Sequence, residues 1–233
     1  MEEGKLSKRL SRVAQYIRKG DRLADIGSDH AYLPSALVEE GVVSFAVAGE
    51  VVPGPLERAR RQVRLQGLED SIDVRHGNGL EVVSPEDEIT AVSICGMGGV
   101  LITDILERGR EEGRLTGRER LILQPNVGEY NVRKWLLANS YTIVAEELVE
   151  ENDKMYEIIV AEKSETPPSY TEKELKYGVY LPTEHTVLFK KKWTHELEKS
   201  TFILEQLAQS NSPQEEKINE LKRHIEETKG MIS

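Results

Sequence analysis

The chain has 233 residues, enough for one core of roughly 150 residues with a smaller module attached. Its 31 lysines and arginines face 41 acidic residues, a net charge of -10. That balance argues against unselective nucleic-acid binding, because such affinity comes from Lys and Arg neutralising phosphates. There is no apolar run of 18 residues and no basic, apolar leader, and the single cysteine, Cys95, can form neither an internal disulfide nor a thiolate-rich zinc site. A soluble, cytoplasmic protein with no membrane segment and no metal is expected.

The positive charge is unevenly spread. Seven basic residues, among them Lys5, Arg9 and Arg12, fall between Met1 and Arg22 against three acidic ones. Further groups are Arg58, Arg60, Arg61 and Arg64, and Lys190, Lys191 and Lys192 beside Trp193. Taken singly, each reads first as a solvated helix face.

Along the chain, Leu6, Leu10, Val13, Ala14 and Ile17 recur at helical spacing, which predicts an amphipathic helix over 5–18 with Arg9 and Arg12 on its polar face. The apolar run 22–26 ending at Gly27 suits a buried parallel strand entering a turn, and a helix over 31–40 follows. The alternation repeats with a strand over 44–50 and a helix over 53–66, opened by a proline whose missing N–H costs nothing in the first turn. Strands at 71–75, 88–94 and 118–124 come next, with helices at 98–108 and 128–139. This rhythm predicts a doubly wound α/β sheet. The runs 141–149 and 155–161 are joined by too few residues for a parallel crossover, so they must be antiparallel.

Pro167-Pro168 ends regular structure, dividing the chain into residues 1–164 and 165–233. In the second part Trp193, Leu197, Thr201, Leu204 and Leu207, then Ile218, Leu221, Ile225, Thr228 and Ile232, recur at spacings of three and four. They flank Ser210-Asn211-Ser212-Pro213, so an antiparallel coiled-coil hairpin is predicted.

An open parallel sheet binds nucleotides at the carboxyl ends of its strands. The first strand-to-helix turn reads Asp25-Ile26-Gly27-Ser28-Asp29-His30-Ala31. A dinucleotide fingerprint would need glycine where Asp29 and Tyr32 stand. A carboxylate at that point repels pyrophosphate but tolerates the sulfonium and ammonium of S-adenosylmethionine, which favours that cofactor over NAD. Glu50 ends the second strand where an acidic residue can accept hydrogen bonds from ribose hydroxyls. Gly77-Asn78-Gly79 offers an amide to an adenine edge.

The fourth strand runs into Cys95-Gly96-Met97-Gly98-Gly99, predicted as a loop that lets a planar ligand approach the backbone. The fifth ends in Gln124-Pro125-Asn126, polar groups on the same edge. Cys95 reads as a small packing residue and not a nucleophile, since no base stands beside it.

The segments Leu6-Ser7-Lys8-Arg9-Leu10, Ala24 to Pro34, Gly49-Glu50, Gly96-Met97-Gly98-Gly99 and Leu121 to Asn126, with the C-terminal helix pair, together resemble the TrmK family. These are bacterial tRNA adenine-N1 methyltransferases acting on adenine 22 in the D-arm region. The resemblance spans essentially the whole chain. It implies a class I, Rossmann-like methyltransferase domain, S-adenosylmethionine as cofactor and tRNA as partner, with no obligate protein partner. Asn78 departs from the Asp expected in many relatives.

N1 of adenine carries a free lone pair at neutral pH, so attack on the methyl group needs no prior deprotonation and positioning can supply much of the acceleration. The product base is cationic, and a nearby carboxylate would stabilise the charge as it develops. Asp29 is the candidate, with His30 as neighbour. Cofactor contact falls to Asp25, Gly27, Ser28, Glu50, Asn78, Gly79, Cys95 and Gly96. tRNA contact falls to Lys5, Arg9, Arg12, Arg133 and Lys190 to Lys192, with Met97, Gly98, Gln124 and Asn126 around the acceptor base. The alternatives are a small-molecule methyltransferase and a catalytically silent cofactor-binding subunit whose hairpin docks a protein.

Overall fold

The computed structural model describes residues 6–184, 186–208 and 215–233. Lys5 and the segment Ser210-Asn211-Ser212-Pro213 lie outside the described residues. Two compact units divide the chain, Met1–Tyr177 and Gly178–Ser233.

The first unit opens with α1 (Lys8–Ala14), capped by Ser7, whose Oγ accepts from the Leu10 N–H at 3.2 Å. It is shorter than the periodicity predicts. After Ala14 the N–H groups of Tyr16 and Ile17 bond three residues back, to Val13 and Ala14, so the last turn tightens out of α geometry. Then come β1 (Arg22–Ile26), α2 (Tyr32–Glu39), β2 (Phe45–Glu50), α3 (Pro53–Gln66), β3 (Ile72–His76), β4 (Ala91–Gly98), α4 (Gly99–Glu111), β5 (Arg120–Val127), α5 (Glu129–Ala138), β6 (Tyr141–Glu151), β7 (Lys154–Lys163) and α6 (Glu172–Tyr177).

These strands form one sheet in the order β3-β2-β1-β4-β5-β7-β6. The first five are parallel, and β7 runs antiparallel to both β5 and β6, as their short link requires. Leu23 and Ala24 of β1 and Ala91, Val92 and Ile94 of β4 are buried, because helices cover both faces of a parallel sheet. The strand order reverses between β1 and β4, and a crevice opens there at the carboxyl ends.

Two boundaries differ from expectation. The glycine-rich stretch predicted as a loop is the continuation of β4, since Met97 pairs with Pro125 and Gly98 with Val127. Register shifts on either side of Met97 accommodate the irregularity, as a bulge does. The division between units falls after Tyr177 and not at the proline pair. Here α6 packs on α5, with Tyr130 Oη donating to Glu172 at 2.9 Å and Arg133 Nη1 donating to the Leu175 carbonyl at 3.4 Å.

The second unit contains α7 (Leu181–Glu184), α8 (Val187–Ala208) and α9 (Glu215–Ile232). α8 and α9 contact each other, and Phe189 and Trp193 meet with ring centroids 6.3 Å apart. Among the described residues, no helix is long and apolar enough to cross a membrane.

Candidate active site

β1 turns over Gly27, at φ +73°. The N–H groups of Gly27 and Ser28 both donate to the Gly49 carbonyl, at 2.9 and 3.0 Å, which ties the turn to the end of β2. A Cβ on Gly27 would lie 2.2 Å from the Met97 methyl. His30 and Ala31 then take φ of +56° and +54°, conformations that cost non-glycine residues about 1–3 kcal/mol each. The His30 ring stacks on Tyr32, centroids 5.1 Å apart. Arg58 Nε donates to His30 Nε2 at 3.1 Å. Asp29 Oδ1 lies 3.5 Å from the same nitrogen, and its side chain is 76% exposed.

Asp25 is buried and accepts from Ser93 Oγ at 2.6 Å. Burial pushes its carboxyl pKa up, against the hydrogen bonds and the charge of Arg9 that favour ionisation. Ser28 Oγ is buried and makes no hydrogen bond of ordinary geometry, although it lies close enough to Asp25 to favour the carboxylate. Glu50 Oε1 accepts from the N–H groups of Val51 and Val52 at 2.8 and 2.7 Å, which points the other carboxylate oxygen away from the start of α3.

Asn78 is exposed beside Gly79, its N–H donating to Glu81 Oε2 at 3.2 Å. Cys95 keeps some surface, yet burial and then the charge of Asp25 raise its thiol pKa. It stays protonated and is no nucleophile.

On the substrate side, two expectations need correction. Gln124 is 0% exposed, with Oε1 accepting from the Gly96 N–H at 3.0 Å and from Arg9 Nη1, and Nε2 donating to the Pro125 carbonyl at 2.8 Å and Asn126 Oδ1 at 3.3 Å. It cannot touch RNA directly. Arg133 is also 0% exposed, bonded to Glu146 at 2.7 Å and to Glu157; its charge is enclosed by carboxylates and closed to phosphate.

The N-terminal basic run is largely answered within the fold as well. Arg12 pairs with Glu147 and Arg18 with Glu162, each at 2.6 Å. Asn126 is exposed, its Nδ2 donating to the Gly96 carbonyl at 2.8 Å, and Met97 and Gly98 flank that point. Lys190 and Lys191 are exposed in the second unit, and Lys192 Nζ stands 5.5 Å from the Trp193 ring centroid. Sequence reasoning missed Ser93, whose signal was a hydroxyl inside an otherwise apolar strand. Arg58, read from the sequence only as part of a basic group, turns out to hold His30.

Residues 23–230 match the family model of TrmK, tRNA (adenine(22)-N(1))-methyltransferase. The tRNA (adenine(22)-N(1))-methyltransferase of Bacillus subtilis (strain 168) is 44% identical, covering 100% of this chain and 99% of that protein. The crystal structure of the B. subtilis TrmK tRNA methyltransferase superposes with a TM-score of 0.91 at 43% identity, covering 99% of this chain and 100% of that one. Sp1610 of Streptococcus pneumoniae, solved in complex with S-adenosyl-L-methionine, gives 0.89 at 40% identity, covering 98% and 100%. By this whole-length similarity and the shared sheet, the chain belongs to the TrmK family of tRNA (adenine(22)-N(1))-methyltransferases.

Proposed function

We propose that the chain transfers the methyl group of S-adenosylmethionine to N1 of adenine 22 in tRNA. The observation that carries this is the gathering of Asp25, Ser28, Glu50, Gly96 and Asn126 along the carboxyl ends of four adjacent parallel strands and their turns, in a chain 44% identical to a B. subtilis enzyme of that name. The residues fit the cofactor. Ser28 Oγ is a buried hydroxyl without an ordinary hydrogen bond, and Glu50 can accept from ribose hydroxyls through its second oxygen.

Asp25, Gly27, Ser28 and Glu50 would hold the cofactor, with Asn78 and Gly79 at its adenine and Cys95 and Gly96 lining the floor. Bound S-adenosylmethionine supplies an electrophilic methyl group on a sulfonium. The protein's task is then to present N1 with its lone pair free and to keep water out. Asp29, mostly exposed at the turn after β1, would favour the cationic product base through its carboxylate. His30, stacked on Tyr32, positions that turn. A base stacked in folded tRNA has to be flipped out to reach the site, between Met97, Gly98 and Asn126. α8 and α9 act as an antiparallel coiled-coil hairpin that grips tRNA through Lys190, Lys191 and Lys192, and the enzyme works in the cytoplasm.

Transfer of labelled methyl from S-adenosylmethionine to two unmodified transcripts, one with adenine and one with guanine at position 22, tests the reading. Label only in the adenine transcript is expected. Equal label in both, or none from folded protein that binds the cofactor, would refute it.

A further inference from the structure

The geometry points to Arg9 as a positioning residue for this reaction, one that holds in place the amide network beside the acceptor base, instead of making the phosphate contact its charge suggests; this rests on the activity proposed above. Arg9 sits in the first turn of α1 and reaches the sheet edge. Its backbone N–H donates to Glu151 Oε1 at 3.3 Å, and its guanidinium lies 5.3 Å from the Tyr156 ring centroid. Nη1 donates to Gln124 Oε1. A Cβ on Gly96 would come within 3.8 Å of the same guanidinium, so Arg9 covers that glycine.

The consequence follows from counting donors and acceptors. Gln124 Oε1 already accepts the Gly96 N–H, and the Arg9 donor takes its second lone pair. An amide held this way has one orientation, with Nε2 toward Pro125 and Asn126 Oδ1. Asn126 is then oriented in turn, its Nδ2 toward the Gly96 carbonyl. The backbone groups of Gly96 and Pro125 demand this polarity, and Arg9 holds the Gln124 amide against them by a charged donor, so the Gly96 N–H and carbonyl stay engaged.

Asn126 is the exposed member of the series, and its Oδ1 keeps a lone pair. An adenine presents N6–H beside N1, and an acceptor engages N6 while leaving the N1 lone pair free. The flipped amide would turn its N–H groups there and could bond N1, removing the nucleophile. A guanidinium suits the task because it can donate and cannot be deprotonated.

Steady-state kinetics of R9Q on the adenine-22 transcript, with cofactor titration and a salt series, is the test. A kcat lower by at least about tenfold at saturating cofactor, with tRNA KM and its salt dependence unchanged, is expected. A raised KM with a shallower salt dependence and wild-type kcat would make Arg9 a phosphate contact and overturn the assignment. Should R9Q fail to fold, Q124E decides. It retains the acceptor for Arg9 and Gly96 but replaces the Nε2 donor with oxygen, so kcat must fall even though the Arg9 pairing strengthens; unchanged kcat sinks the idea. Failure of the wild-type protein to methylate the transcript would refute the parent reading instead.

Discussion

Glu50 and Asp29 are carboxylates on one sheet edge, yet their surroundings assign them different work. Glu50 is anchored, one oxygen accepting two backbone N–H groups at the start of α3, where the helix dipole also favours negative charge. Its free oxygen is thereby aimed, and an aimed acceptor loses little entropy when hydroxyl donors arrive. Asp29 is mostly in water and gains electrostatic weight only when a bound RNA excludes that water. The two roles separate on substitution at the anchored site. E50Q keeps the shape but loses charge and one acceptor, and hydrogen bonds to charged groups contribute about 1.5–3 kcal/mol. The cofactor Kd is expected to rise about ten- to a hundredfold with tRNA binding unaltered. Titration calorimetry of each ligand checks this, and an unchanged cofactor Kd would remove Glu50 from the site.

At the scale of elements, α6 decides where the catalytic unit ends. It follows the proline pair, but Leu175 and Tyr177 are buried and the Leu175 carbonyl accepts from buried Arg133. A chain stopped after Tyr177 is therefore expected to fold and bind cofactor like the full protein while losing tRNA affinity. One stopped after Ser164 should melt earlier by roughly 5–10 °C, the equivalent of a few kcal/mol for a unit of this size. Thermal denaturation of both fragments with cofactor titration tests the pair; equal melting would return the boundary to the prolines.

The elements legible in the sequence were those whose burial is set locally. β1 carries Leu23, Ala24 and Ile26 because both its faces are covered, and α3 opens on its own proline. The end of β4 was not legible, because glycines there read as loop while the pairing is decided by Pro125 and Val127 of β5. In the site, the turn at Gly27 and the strand-end polar groups could be found from residue type and place. The burial of Gln124 and Arg133 could not, since it depends on partners in distant segments, Arg9 for one and Glu146 and Glu157 for the other.

For the whole molecule, a net charge of -10 means that mild acidification relieves self-repulsion. Acid must therefore destabilise through particular carboxylates whose charged form the fold favours. Asp87 is one. Burial alone would raise its pKa, but hydrogen bonds from Arg75, at 2.6 and 2.8 Å, and from the Ser84 N–H, at 2.7 Å, outweigh it and hold the carboxyl below its ordinary value. Arg75 also donates to the Val82 carbonyl at 2.7 Å, so the pair braces the segment that begins at Asn78 on the cofactor edge. A depressed acid contributes stability above its unfolded pKa, near 3.9, and loses it as pH falls through the lower folded value. D87N removes the charge while keeping the shape. It is expected to cost about 1.5–3 kcal/mol at pH 7, with the difference from wild type shrinking as the pH falls below the unfolded pKa and through the lower folded one. Urea midpoints across a pH series from 7 downward measure this. A difference of constant size across the series would mean that Asp87 acts through packing, and that acid sensitivity arises from other carboxylates.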